Sequence, residues 1–150
     1  MNLSGPVLVA VHDSPAAFRA ADVEIAVARS FGAELHALTV ADPSRSGTGL
    51  GSGAESAARE LERAAEASLR HIASRAAEAG VPMTAHRRAG QPAACILEEA
   101  RVLGAALIVM AVVDHPRHPN PYVGAQTLRV LEFSGVPVLV VPAPAGDGGR

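Results

Sequence analysis

Val7-Leu8-Val9-Ala10-Val11-His12-Asp13-Ser14-Pro15 decides the fold. Its five leading apolar residues make a strand that must be covered on both faces, the pattern of a parallel sheet held between helix layers. A strand with one solvated face would alternate instead. Ser14 then suits a helix N-cap, and Pro15 suits the first helical position, where a missing N–H costs nothing. A buried strand running directly into a helix start is the first half of a β-α-β unit.

The rest of the chain repeats that unit. The first helix is predicted to about Ser30, with Phe18, Ala21, Ile25 and Ala28 on one stripe and Gly32 as its terminator. Residues 35–40 read as a second strand. The Ser/Gly-rich residues 44–53 have little to bury and read as a mobile loop. Residues 55–79 form a long helix carrying Leu61, Ala65, Leu69, Ile72 and Ala76, stopped by Gly80. Residues 82–88 are a more polar strand, suited to a sheet edge. Gly90-Gln91-Pro92 turns into a helix through Ile96, Ala100 and Leu103, closed by Gly104. Residues 106–112 are a second two-sided apolar strand. A Pro/His-rich loop over 114–122 leads to a helix over 124–133 and a last strand over 136–141. Alternation with right-handed crossovers gives an α/β fold, a three-layer α/β/α sandwich on a five-stranded parallel, Rossmann-like sheet. One domain is expected over residues 1–142, with a disordered Gly-rich tail over 143–150.

Composition agrees. Hydrophobic residues are 49% of 150 but aromatics only 3%, so Val, Leu, Ile and Ala must build the core. The single cysteine, Cys95, can form no internal disulfide, which points to a reducing cytoplasm. No run approaches the roughly 18–20 apolar residues of a membrane span, and residues 1–6 carry no signal-peptide pattern. A formal net charge of −2 offers nucleic acid no electrostatic footing. Every basic residue is Arg and Ala is abundant, a coding bias of GC-rich bacterial genomes.

In open parallel sheets ligands bind beyond the carboxyl ends of the strands, where the strand order reverses. The residues to inspect are therefore 12–14, 40–42, 89–92 and 111–125. Those segments resemble the universal stress protein family. Residues 7–14 (VLVAVHDS) resemble its opening strand ending in Val-Asp-Gly-Ser. Gly90-Gln91-Pro92 through Ile96 and Ala100 resembles its Gly-x-Pro-x-x-x-Ile-x-x-x-Ala stretch. Leu107-Ile108-Val109-Met110 matches its Leu-Ile-Val-Met strand, and Pro137-Val138-Leu139-Val140-Val141 its closing strand. The resemblance covers nearly the whole chain and implies a fold like that of the adenine-nucleotide alpha hydrolases.

ATP-binding members of that family carry Gly-x-x-Gly, nine residues, then Gly-Ser or Gly-Thr after the fourth strand. Glycines let backbone N–H groups reach the phosphates, and the hydroxyl adds a donor. The same spacing holds here with Ala111, Asp114, Gly124 and Ala125, but only Gly124 keeps its type. Asp114 brings a carboxylate where phosphates would sit; like charges about 4 Å apart repel by ~4 kcal/mol at an effective dielectric of 20. Ala125 lacks the hydroxyl donor, a loss of about 0.5–1.5 kcal/mol. His12 replaces the Asp that ends the first strand of ATP-binding members. Val40 and Met110 resemble positions packing around adenine and ribose. The expectation is a non-catalytic stress-response protein with lost or weakened ATP binding and no cofactor. The alternative is a regulatory module that binds ATP, AMP or a cyclic nucleotide at those positions. The resemblance also implies a homodimer paired through the last strand, with Val136, Val138 and Val140 at the interface.

Other residues carry less. His12, Asp114, His115 and His118 fit no metal-ligand spacing, and no metal site is expected. Ser14 lacks the Gly-x-Ser-x-Gly frame of a nucleophile elbow. Cys95 sits early in its helix, where thiolates are favoured, but packing is the simpler role. Arg87-Arg88 reads as a solvated basic spot protecting an edge strand. No paired carboxylates or triad suggest catalysis.

Overall fold

The computed structural model describes residues 3–11, 15–43, 52–111 and 124–142. Strand β1 (Val7–Ala10) leads to helix α1 (Pro15–Ser30), then β2 (Leu35–Ala41), α2 (Ser52–Glu78) and β3 (Met83–Ala89). Helix α3 (Pro92–Leu103), β4 (Leu107–Ala111), α4 (Ala125–Phe133) and β5 (Val138–Val141) complete the alternation. All neighbouring strands are parallel, in the order β3-β2-β1-β4-β5. The chain steps from β1 out to β3, crosses back to β4, and so reverses strand order between β1 and β4.

The two-sided apolar runs separate two cores. Val7, Val9, Leu35, Ala37 and Val109 point to one face, where Ala21 and Ile25 of α1 and Leu69 and Ile72 of α2 cover them. Leu8, Ala10, Leu38, Ile108 and Met110 point to the other, against Ala93, Ile96 and Ala100 of α3 and Val130 of α4. Leu8, Ile108 and Val9 are fully buried, each worth about 1.5–3 kcal/mol in removed apolar surface. Gly32, Gly80 and Gly104 end their helices at φ of 63°, 71° and 61°, a left-handed conformation that strains any residue with a Cβ.

Three local expectations need correction. Helix α2 starts at Ser52, so residues 52 and 53 belong to it and not to the preceding loop. Strand β5 begins at Val138, not at residue 136. Val136 is held instead in a tight turn: its N–H donates to Ser134 Oγ at 3.1 Å, and that hydroxyl donates to the Val136 carbonyl at 2.6 Å. Finally, Arg87 and Arg88 are not merely solvated. Adjacent residues of a strand face opposite ways, so Arg87 pairs with Glu62 (3.6 Å) and Glu66 (3.1 Å) of α2, while Arg88 pairs with Glu99 of α3. The proposed loop over 44–50 and the tail over 143–150 lie outside the described residues.

Candidate functional site

The crevice at the switch point is bounded by the carboxyl ends of β1 and β4 and the first turns of α3 and α4. His12, Ser14, Asp114, His115 and His118 lie outside the described residues. The remaining candidates fall into two groups. Val40 and Met110 share one face of the sheet, on either side of β1. Met110 is fully buried there and Val40 partly so, and both pack against the α3 side of the core. Ala111 points to the opposite face, 3% exposed, with its methyl in the cluster that holds Val109 and Val141. The side chain at the first glycine position is therefore a core group.

Gly124 is the N-cap residue of α4, with φ −62° and ψ 157°, and provides no side-chain cap bond. Its φ is one any residue adopts, and a Cβ there would meet no atom within 4 Å. Neither strain nor crowding within the described chain demands glycine. Ala125 follows it and is exposed.

The first turn of α3 is satisfied differently. Gln91 is its N-cap and accepts from the Ala94 N–H at 2.6 Å. Gln126 of α4 reaches across: its Oε1 accepts from the Ala93 N–H at 3.0 Å and from Gln91 Nε2 at 2.7 Å. Two amide side chains thus tie the starts of α3 and α4 together and consume two of the orphan donors of α3. Reading the sequence missed this clasp. Gln91 before Pro92 was a local cap signal, but Gln126 lies 35 residues away and leaves no local trace. Cys95, partly buried, has its Sγ 3.8 Å from the Ala89 carbonyl beside Gly90.

Comparison with known proteins agrees with this architecture, since the model of the universal stress protein family matches residues 4–142. The chain belongs to the universal stress protein family. No curated protein matches it. Among solved structures, universal stress protein UspA from Lactobacillus plantarum superposes with a TM-score of 0.72 at 23% identity, covering 94% of this chain and 99% of that one. A universal stress protein in complex with cAMP gives 0.69 at 22% identity, over 95% and 99%. One from Archaeoglobus fulgidus in complex with dAMP gives 0.63 at 19% identity, over 93% and 98%. At these identities the structural likeness establishes the three-layer fold of the family. Among the described residues, no helix is long and apolar enough to cross a membrane.

Proposed function

We propose that this universal stress protein acts without catalysis, through contacts with other protein chains, and that it has lost or greatly weakened ATP binding. The observation that carries the reading is Ala111. At the position where ATP-binding relatives place a glycine, this chain has a methyl that is already part of the core. Ala125 adds the loss of a hydroxyl donor, and the sequence adds Asp114 and His12. Met110 is fully buried in the core cluster that holds Leu8, Ile108 and Val130, which leaves it no exposed surface to offer a base. Restoring the family pattern tests this reading. The variant Ala111→Gly, Asp114→Gly, Ala125→Ser should bind Mg-ATP in a calorimetric titration where the unaltered protein does not. Equal binding by both proteins would refute it.

Two observations favour a second reading, an adenine-nucleotide module for ligands with a smaller phosphate demand. Relatives of the same fold are in complex with cAMP and dAMP. Gly124, the N-cap residue of α4, also provides no side-chain bond to the backbone donors of the first turn. A titration with cAMP and AMP separates this reading from the first.

The chain contacts proposed here run through β5. Among the described strands β5 pairs only with β4, so we assign the second copy to its outer edge. Val138 and Val140 are half-buried, while Leu139 between them is 38% exposed and better placed than Val136, which precedes the strand. Leu128 and Leu131 of α4 are exposed and can extend the contact.

A further inference from the structure

A polar chain crosses the opposite edge of the sheet, away from the crevice. His36 of β2 and His86 of β3 are diagonal neighbours, because Leu38 and not His36 is the direct partner of His86. Both rings project toward α3 and meet edge to edge, with centroids 5.0 Å apart and planes at 16°. His36 Nδ1 lies 2.7 Å from His86 Nε2. The far nitrogen of each ring faces a carboxylate. His86 Nδ1 is 3.2 Å from Glu99 Oε1, and His36 Nε2 is 3.5 Å from Glu34 Oε2. Glu99 is itself 5% exposed and anchored by Arg88.

We propose that His36 and His86 form a binding site for a divalent transition-metal ion of the kind imidazole prefers, such as Zn2+, Cu2+ or Ni2+. Two imidazole nitrogens face each other, and a carboxylate lies near the far nitrogen of each ring, where outer-shell carboxylates orient metal-bound histidines. In the free protein one proton sits between the rings. The neutral tautomers that fit both contacts turn His86 Nδ1–H toward Glu99 and leave Nε2 to accept from His36 Nδ1–H. If the His36 proton moves to Nε2 and donates to Glu34, both inner nitrogens present lone pairs and the neutral pair loses no proton. An ion at about 2.0–2.1 Å from each nitrogen in tetrahedral geometry needs them about 3.3 Å apart, so the rings open by ~0.6 Å. Side-chain rotation of His86 on an edge strand can supply that movement. Among the described residues no group of three or more His, Cys, Asp or Glu could hold a metal ion. The site therefore supplies two protein ligands and water completes the shell, which sets binding in the micromolar range rather than tighter.

The test is a calorimetric titration with ZnCl2 at neutral pH. It uses protein in which the other histidines, His12, His71, His115 and His118, are replaced by Gln. One site should remain, weakened at least tenfold by His36→Gln or by His86→Gln. Glu99→Gln should weaken it by about 10–100-fold, the usual cost of an outer-shell partner. Thermal unfolding without metal identifies any variant that has lost its fold, and His36→Gln on β2 and His86→Gln on β3 serve as independent checks. Absence of zinc uptake in the four-histidine background would overturn the proposal, as would uptake undiminished in both His36→Gln and His86→Gln.

Discussion

Replacing Glu24 by Gln should stabilise this protein, and increasingly so as the pH rises. Glu24 lies on the buried stripe of α1 with Ala20, Ala21, Ile25 and Ala28, and is 2% exposed. Among the described residues its Oε2 has no hydrogen-bond partner. Burial without a compensating charge raises its pKa from 4.5 to about 8. The unfolded chain gives up this proton from about pH 4.5 upward, whereas the native protein keeps it until about pH 8. Over that window the unfolded state binds fewer protons, so stability falls as pH rises and then levels off above pH 8. At about 1.4 kcal/mol per pKa unit, the full window is worth about 5 kcal/mol, and the part below pH 7 about 3 kcal/mol. Gln has nearly the same shape and stays neutral in both states, so it removes the pH-dependent cost. Urea unfolding at pH 5, 7 and 9 measures it. The advantage of Glu24→Gln should grow from under about 1 kcal/mol at pH 5 to about 5 kcal/mol at pH 9, less a constant cost for the buried amide. An advantage that does not change with pH would refute the reasoning.

Other substitutions probe the remaining links. Gln126→Ala breaks the clasp between α3 and α4 and frees the Ala93 N–H; a loss of about 1 kcal/mol in urea unfolding is expected. Gly104→Ala forces a Cβ onto φ 61° and should cost about 1–2 kcal/mol by the same assay. Leu139→Lys places a charge on β5, and light scattering should report a dimer for the unaltered protein and a monomer for the variant.

The fold was legible because burial on both faces leaves a strong mark. The runs at Val7 and Leu107 have no polar residue to alternate with, and Gly32, Gly80 and Gly104 each mark a helix end that only positive φ can make. The start of β5 was not legible, since Val136 is as apolar as the strand it precedes; the Ser134 hydroxyl decides that it turns instead. At the carboxyl ends of the strands, residue types at family spacing nominated Val40, Met110, Ala111, Gly124 and Ala125. Spacing could not say that Ala111 and Met110 point to opposite faces; the period-two geometry of β4 does. The Gln91–Gln126 clasp and the His36–His86 pair join residues 35 and 50 positions apart. Contacts of that kind depend on sheet register and helix packing, and no local pattern in the chain encodes them.

Loss of ATP binding is tested most directly by titrating the unaltered protein with ATP in the presence of magnesium by calorimetry. With Ala111 in the core, Ala125 without a hydroxyl and Asp114 in place of the second motif glycine, no heat of binding is expected at micromolar ATP. Saturable binding in that range, one nucleotide per chain, would contradict it.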